Sequence, residues 1–210
     1  MRVYLIRHGR TRGNLSKRYI GRTDEPLCSQ GFSDCLRAGT FTEIDRVYVS
    51  PMLRTRQTAV LMFPSAELKT VDDLREMDFG EFEGKNADEM ESDAKYRAWT
   101  DGMCRGPCPG GEDLSGFTDR VNDAFCEIVE SALRDLQKRI VIVAHGGTIM
   151  SIMSSFAVPE RDYYDWSCGN CRCWRSELTF IPESRTLLLC DYSYLSELSI
   201  RDEALKRQLA

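Results

Sequence analysis

The sequence has few histidines and no long apolar run. Only two histidines, His8 and His145, occur in 210 residues. The longest apolar strings, such as IVIVA at residues 140–144, are far too short to cross a bilayer. A secretory signal is not recognisable either, because the first apolar run has the length of a strand and is followed by cations. These absences disfavour a membrane protein and favour a cytoplasmic location.

The cysteine pattern lacks the regular spacing of a zinc site. Nine cysteines are scattered along the chain, and their number is odd. Cys104 and Cys108 stand in CRGPC, whereas Cys168, Cys171 and Cys173 stand in CGNCRC, far along the chain. Zinc ribbons use two Cys-x-x-Cys pairs at closer spacing. We therefore expect no metal and free, mostly structural thiols in a reducing compartment.

Charge is unevenly distributed. The net charge of -5 disfavours a general nucleic-acid-binding protein, yet residues 1–23 contain seven Arg or Lys and no acid. This local excess predicts a small anionic ligand. With 42% hydrophobic and 29% charged residues, the composition is that of a globular protein, and the length predicts a single domain over residues 1–210.

Predicted strands and helices alternate along the chain, which favours a layered α/β fold with a mainly parallel sheet. Residues 72–111 are rich in charge, Gly and Pro, and we predict a lid-like excursion with short helices there. The predicted strands cover residues 2–6, 46–50, 68–71, 140–144, 177–182 and 187–191, and the predicted helices lie within 29–44, 53–63, 112–138 and 148–156.

Both histidines directly follow a predicted strand. In open α/β sheets, ligands bind beyond the carboxyl ends of the strands. One histidine in such a place is more often structural than catalytic, but two at equivalent strand ends, each beside a glycine, point to a site. Arg7 and Arg54 lie near strand ends as well, and the guanidinium fork suits a phosphoryl group. The sequence therefore predicts a site for one dianionic group.

Five motifs together resemble the histidine phosphatase superfamily, the phosphoglycerate-mutase-like proteins. These motifs are LIRHGRTRGN, SPMLRTRQTA, LREMDFGEFEG, PGGED and VAHGG, and their order and spacing match over roughly residues 1–190. Each motif alone is only moderately specific, whereas the set is strong. The resemblance implies a three-layer α/β/α sandwich with a mixed, mainly parallel sheet.

The resemblance also implies a role for each residue that matches a motif. His8 would be the nucleophile that forms a phosphohistidine, and Glu76 would be the proton donor. The phosphoryl oxygens would be surrounded by Arg7, Arg54, His145 and Asn14, with the backbone at Gly146 and a less defined role for Thr11. No cofactor is required, because arginines and an imidazolium supply the positive charge. We expect His8 to be neutral and His145 to be charged, with their pKa values pushed apart.

Four residues depart from the pattern or leave their role open. Arg10 occupies a position where an acidic residue is commoner in the family, and we expect it to extend the basic rim and affect selectivity. Tyr96, Trp99 and Trp166 either line a pocket over the leaving group or belong to the core, and the core is favoured.

Hydrolysis is favoured over mutase chemistry. Family mutases resemble one another in a longer insertion after the loop that carries the acid, here Glu76, and the stretch from that loop to PGGED is short in this chain. LREMDFGEFEG, YRAW and PGGED resemble the bacterial α-ribazole phosphatase branch of cobalamin synthesis. The alternatives are a broad-specificity phosphatase, a phosphoglycerate mutase, a non-catalytic phosphoester sensor and, least of all, a metal-dependent phosphoesterase. The expected partner is a small phosphate ester rather than nucleic acid or membrane, and a homodimer is allowed without being required.

Overall fold

A six-stranded mixed sheet forms the centre of the protein, as described by a computed structural model for residues 1–181 and 186–196. The strands are β1 (Arg2–Arg7), β2 (Arg46–Val49), β3 (Glu67–Thr70), β4 (Arg139–Ala144), β5 (Cys173–Ile181) and β6 (Thr186–Leu195). The strand order is β3-β2-β4-β1-β5-β6, and β5 runs antiparallel to both of its neighbours while the other pairs are parallel. The predicted mainly parallel sheet is confirmed.

Helices cover both faces of this sheet. The helices are α1 (Arg12–Leu15), α2 (Ser29–Ala38), α3 (Leu53–Met62), α4 (Ala94–Asp101), α5 (Leu114–Arg134) and α6 (Gly146–Phe156). Residues of β1 alternate between the faces, so that Val3 and Leu5 pack with α5 and α6, whereas Tyr4 and Ile6 pack with α2 and α3. This confirms the three-layer architecture. Among the described residues, no helix combines the length and the apolar character that a membrane span needs.

Several element boundaries differ from the predicted ones, among them the end of α5 and the start of β5. Helix α5 ends at Arg134 rather than near Lys138, because Leu136 has a positive φ of 51° and is 88% exposed, so it is not part of the apolar face. Strand β5 begins at Cys173, earlier than predicted, and pairs with β1 from that residue onward. Pro182, at the end of the predicted strand, lies outside the described residues.

The predicted excursion at residues 72–111 contains short helices but is well packed. Three single-turn helices at Asp72–Leu74, Gly80–Phe82 and Asp88–Met90 precede α4. Leu74, Phe82 and Met90 are buried in the same apolar cluster as the inner face of α5. A lid-like movement of this segment stays a prediction, as does the extent of the single domain.

Candidate active site

His8 follows β1 directly and is buried. Its backbone N–H donates to the Ala144 carbonyl at 3.0 Å. Its ring nitrogen Nδ1 lies 2.7 Å from the Gly9 carbonyl oxygen. Because a carbonyl only accepts, Nδ1 carries the proton and Nε2 keeps a free lone pair. Burial lowers the pKa of His8 well below its usual value, and the charges of Arg54 and Arg7 lower it further. The ring is therefore neutral and has its nucleophilic nitrogen free.

His145 follows β4, the parallel neighbour of β1, and is fully buried. The two imidazoles are in contact, with ring centroids 5.2 Å apart. Arg54 Nε donates to His145 Nδ1 at 3.3 Å, so the proton of His145 lies on Nε2, which is 2.7 Å from Ser50 Oγ. Ser50 Oγ continues to Thr55 Oγ1 at 3.1 Å, and that hydroxyl donates to the Met52 carbonyl. A continuous hydrogen-bonded chain thus fixes the orientation of His145.

Both histidine pKa values are lowered, which corrects one expectation. Burial lowers the pKa of His145 well below its usual value, and Arg54, His8 and Arg7 add to the effect. We expected the pKa values of the two histidines to diverge and His145 to be charged, and the structure contradicts this expectation. The main physical reason is burial, and the Arg54 contact adds to it, because an Nδ1 that accepts a hydrogen bond from a guanidinium has no free lone pair for a second proton.

Arg54 is buried on α3 and connects His145 to a loop. Its Nη1 donates to the Thr23 carbonyl at 2.8 Å and its Nη2 to the Gly21 carbonyl at 2.8 Å. Glu83 Oε1 holds the same loop by accepting from the N–H groups of Gly21 and Thr23, each at 2.9 Å. Direct contact between Arg54 and a phosphoryl group stays a prediction, since its Nε, Nη1 and Nη2 each donate to a protein acceptor.

Arg7 has a different surrounding from Arg54. Its Nη1 donates to the Cys168 carbonyl at 2.7 Å, whereas its Nε is buried and has no hydrogen-bond partner among the residues that the structure describes. A buried guanidinium N–H without a partner is costly, and an anion beside it would satisfy the group. Gly146 begins α6 next to this side chain, and a Cβ there would lie 3.5 Å from Arg7 Cζ. The predicted phosphate ligands Arg7 and Gly146 are therefore neighbours.

Asn14 and Thr11 form a small capped unit after His8. Thr11 is the N-cap of α1, and its Oγ1 accepts from the Asn14 backbone N–H at 3.2 Å. Asn14 Oδ1 accepts from the Thr11 N–H at 3.1 Å and from Asn170 Nδ2 at 3.3 Å. Since the amide oxygen is occupied, Asn14 Nδ2 is the donor that remains. Thr11 orients Asn14, and a direct contact of Thr11 with phosphate stays a prediction.

Glu76 faces the start of α6. Its Oε2 accepts from the Gly147 N–H at 3.0 Å and its Oε1 from the Met77 N–H at 3.0 Å. A Cβ on residue 147 would lie only 2.3 Å from Glu76 Oε1, so this carboxylate position requires glycine there. A helix N-terminus is a favourable place for a carboxylate, and the Met77 N–H of the adjoining loop adds a second donor.

The backbone that precedes and includes Glu76 is held by Arg120 of α5. Arg120 donates to the carbonyls of Asp73, Arg75 and Glu76, at 2.8, 3.1 and 3.1 Å. Glu112 binds the same guanidinium through both carboxylate oxygens, at 2.7 and 2.9 Å, and accepts from the Asp78 N–H at 2.9 Å. Arg120 and Glu112 together fix the backbone of the loop that carries Glu76.

A cavity of about 350 Å³ opens over His8. The predicted site residues in its wall are Arg7, His8, Asn14, Glu76 and Gly146. Arg54, His145 and Thr11 are not part of the described wall. Much of the remaining wall is apolar or aromatic and consists of Tyr19, Ile20, Met77, Phe79, Trp99, Leu114, Phe117, Met150, Tyr163 and Tyr164. Trp99 thus lines the cavity as well as the core, whereas Tyr96 and Trp166 lie in the core as favoured.

Cations around the cavity are few. Of the residues in its wall, Arg7 and Arg18 are the basic ones. Arg18 is bound by both oxygens of Glu89, at 2.5 and 2.7 Å, so its charge is compensated. Arg10, which we expected at the rim, points to another cavity and pairs with Asp34 at 2.6 Å. The structure corrects that expectation, because α2 brings an acidic partner to the far side of the RHG motif.

Four further residues belong to the site although the sequence did not single them out for it. Ser50 was recognised only as a strand-end residue, and Gly147 only as part of the HGG doublet. Arg120 lies in the middle of an amphipathic helix, where its position resembles that of a surface cation. Asn170 donates to the His8 carbonyl at 2.9 Å from a loop without periodicity. Only the glycine doublet carried a signal.

The thiols of this region are free. All nine cysteines are unbridged. Within residues 1–181 and 186–196, no three His, Cys, Asp or Glu side chains gather closely enough to hold a metal ion. Cys168 lines the cavity over His8, and burial raises the pKa of its thiol to about 12, so it is protonated at neutral pH.

Comparison with known proteins places this geometry in a family. Probable phosphoglycerate mutase GpmB of Escherichia coli O1:K1 is 30% identical in an alignment of 164 residues that covers 74% of each chain. The crystal structure of an α-ribazole phosphatase from Shigella flexneri matches with a TM-score of 0.79 over 96% of this chain and 100% of that one, at 20% identity. The TTHB049 protein of Thermus thermophilus matches with a TM-score of 0.65 at 26% identity, over 93% of this chain and 99% of that one. The model of the histidine phosphatase superfamily (branch 1) matches residues 3–190, and the chain belongs to that family.

Proposed function

We propose that this protein is a phosphate monoester hydrolase that works through a phosphohistidine on His8, with Glu76 as general acid and base. Its substrate is an ester whose alcohol is uncharged and largely apolar or aromatic, and α-ribazole 5'-phosphate is the leading candidate. The observation that supports this most is the cavity over His8, where a polar floor meets an aromatic wall.

The first step is attack on phosphorus. His8 Nε2 has a free lone pair, because Nδ1 is held by the Gly9 carbonyl. As the N–P bond forms, the bond between phosphorus and the ester oxygen breaks, and Glu76 gives its proton to the departing oxygen. Arg7 Nε, Asn14 Nδ2 and the amide of Gly146 bind the phosphoryl oxygens.

The second step regenerates the enzyme. Water attacks the phosphohistidine and passes a proton to the Glu76 carboxylate, and the N–P bond breaks to release inorganic phosphate. The Gly147 and Met77 N–H groups hold the Glu76 side chain in place for this step. One difficult displacement is thereby divided into two easier ones.

The wall of the cavity supports the choice of alcohol. Tyr19, Phe79 and Trp99 form a continuous aromatic group, with ring centroids 5.1 to 6.5 Å apart. Among the described wall residues, Arg7 is the basic side chain without a carboxylate partner, and the phosphoryl group itself uses it. A flat heteroaromatic alcohol gains burial against such a wall, whereas a second anionic group finds no cation.

A phosphoglycerate mutase is the second candidate, because the similar Escherichia coli protein is named as a probable one. A mutase must hold the carboxylate of its substrate while the phosphoryl group moves. Arg18 is the basic side chain nearest to that task, and Glu89 already neutralises it. This pairing favours the hydrolase.

A panel of phosphate esters tests the proposal. With EDTA present, kcat/KM is expected to be higher for 4-nitrophenyl phosphate and α-ribazole 5'-phosphate than for 3-phosphoglycerate, with release of inorganic phosphate. Formation of 2-phosphoglycerate without phosphate release would establish the mutase instead, and a strict need for a divalent metal would refute the mechanism. His8→Ala is expected to lose turnover and acid-labile phosphoryl labelling while its circular dichroism stays unchanged.

A further inference from the structure

Cys35 and Cys171 bring their sulfur atoms close together beside the nucleophile strand. Cys35 lies on α2 and Cys171 in the loop before β5, so they are far apart in sequence but have their Sγ atoms 3.4 Å apart. Both side chains are buried. Among the described cysteines, these two have thiols in hydrogen-bond contact with each other. A disulfide needs an S–S distance of about 2.05 Å, so the two sulfurs have to approach by roughly 1.4 Å.

Both residues also touch the segment that carries His8. The Cys171 N–H donates to the Arg7 carbonyl at 3.0 Å. A Cβ on residue 9 would lie 2.8 Å from Cys35 Sγ, so this sulfur packs directly against Gly9. Thr58 Oγ1, which accepts from the Gly9 N–H at 2.9 Å, lies 3.9 Å from the same sulfur. Cys171 through its backbone and Cys35 through its sulfur therefore both contact the backbone from Arg7 to Gly9.

A second cavity reaches this pair at Cys171. It measures about 360 Å³, is separate from the cavity over His8, and has Cys171 in its wall. Arg10, Arg37 and Arg172 line it together with Asp34, so its charge is predominantly positive. The Cys35 contact and burial raise the pKa of the Cys171 thiol, Arg10 lowers it in part, and a cavity of this size admits a small hydroperoxide.

We propose that Cys35 and Cys171 form a reversible regulatory disulfide when the protein meets a hydroperoxide, and that this bond lowers the activity of the adjacent site. The Cys171 sulfur attacks one oxygen of the peroxide, which gives a sulfenic acid and, for hydrogen peroxide, one water. The Cys35 sulfur then displaces the hydroxyl group from Cys171 as the second water. Two thiols are oxidised and one peroxide is reduced, so that atoms and electrons balance.

The present contact prepares the second step. The contact with Cys171 lowers the pKa of Cys35, whereas the contact with Cys35, together with burial, raises the pKa of Cys171. Cys35 is thus the better resolving nucleophile, whereas Cys171 is the sulfur that the oxidant reaches. Transient disulfides of this kind are the ones that occur in reducing compartments.

Formation of the bond changes the position of the nucleophile. Closing the gap between the sulfurs draws α2 and the Cys171 loop toward each other, and their contacts with the backbone from Arg7 to Gly9 move with them. A misplacement of about 1 Å at a reacting group costs up to about 100-fold in rate. We expect a loss of activity on the order of 10- to 100-fold, reversible by dithiothreitol.

Peptide mapping tests the bond independently of the proposed function. The full chain is treated with hydrogen peroxide, alkylated without reduction and digested. A peptide that links Cys35 to Cys171 is expected in the parent and in Cys126→Ala, a matched control on α5, but not in Cys35→Ser or Cys171→Ala. In Cys35→Ser, dimedone should label Cys171. The absence of the linked peptide, or equal linkage through other cysteines, would overturn the proposal.

The regulatory part rests on the proposed hydrolase and has two readouts. Hydrolysis of 4-nitrophenyl phosphate and calorimetric binding of inorganic phosphate are compared before oxidation, after oxidation and after dithiothreitol. Both are expected to fall and recover in the parent and in Cys126→Ala, and to stay constant in Cys35→Ser and Cys171→Ala. A linked protein with unchanged rate and unchanged phosphate affinity would overturn the regulation. If the phosphate affinity falls on oxidation and recovers on reduction but no ester is hydrolysed, the proposed hydrolase is refuted and the regulatory disulfide is not.

Discussion

The rings of His8 and His145 meet edge to face, with centroids 5.2 Å apart and planes inclined by 64°. They come from neighbouring parallel strands, whose register pairs Arg7 with Ala144, so the residues that follow are side by side. Burial in the first place, and the nearby charges of Arg54 and Arg7 in the second, disfavour a positive charge on either ring. A dianionic phosphoryl group would reverse that balance, because it brings negative charge to the same place.

The depressed histidine pKa values make stability depend on pH. In the unfolded chain both rings bind a proton as the pH falls below about 6.5, whereas in the folded chain they stay neutral to lower pH. The unfolded state is therefore favoured progressively from about pH 6.5 downward, by about 1.4 kcal/mol per pH unit for each ring until its folded pKa is reached. We expect urea unfolding to show lower stability at pH 5.5 than at pH 7. His145→Gln should show a shallower dependence, and an equal slope in both proteins would contradict the assignment.

Replacing Glu76 separates its role as an acid from a role in folding. Glu76→Gln keeps the size of the side chain but cannot supply a proton. Alkyl phosphates, whose leaving oxygen needs that proton, should lose about 10² to 10⁴ in kcat, whereas 4-nitrophenyl phosphate should lose less than about 10-fold. Glu81→Gln, in the same loop but paired with Lys95 in solvent, is the matched control and should change neither rate. Equal losses on both substrates would remove Glu76 from the chemistry.

Arg120 is a positioning residue for Glu76. Arg120→Lys keeps the charge but cannot bind three carbonyls and both oxygens of Glu112. Alkyl phosphate hydrolysis should fall by about 10-fold while the rate on 4-nitrophenyl phosphate changes little, because only the acid is displaced. Arg134→Lys, which alters an exposed pair with Glu130, serves as the control. A uniform loss on both substrates would indicate general damage to the fold.

Ser50 fixes the orientation of His145. Ser50→Ala removes the acceptor that lies 2.7 Å from His145 Nε2 and leaves a buried N–H without a partner. The free energy of unfolding should fall by about 1–3 kcal/mol. The rate should fall for alkyl and aryl phosphates alike, since the defect lies beside the nucleophile rather than the acid. Val60→Ala, on the exposed side of α3, is the comparison. Unchanged stability in Ser50→Ala would exclude the proposed hydrogen bond.

The sequence predicted those parts of the site that follow strand ends. His8, Arg7 and His145 were accessible to that reasoning, because apolar strands are short, buried and easily recognised. Glu76 depended on the family resemblance, since its acidic neighbours look alike in one dimension. Arg120 and Asn170 were not predicted, because their contacts join segments that only tertiary packing brings together. The predicted position of the Arg10 side chain at the rim of the site was wrong for the same reason. Its partner Asp34 lies on α2, which packs on the side of the RHG motif away from the cavity over His8.

The strand order has a consequence for how the protein is made. Strand β1 is synthesised first, yet it lies between β4 and β5, which leave the ribosome more than a hundred residues later. His8 therefore has neither its Ala144 contact nor the nearby Asn170 side chain until nearly the whole chain has emerged. A nascent chain that already contains the complete RHG motif still lacks the assembled site, because the partners of His8 lie on strands and loops that are made later.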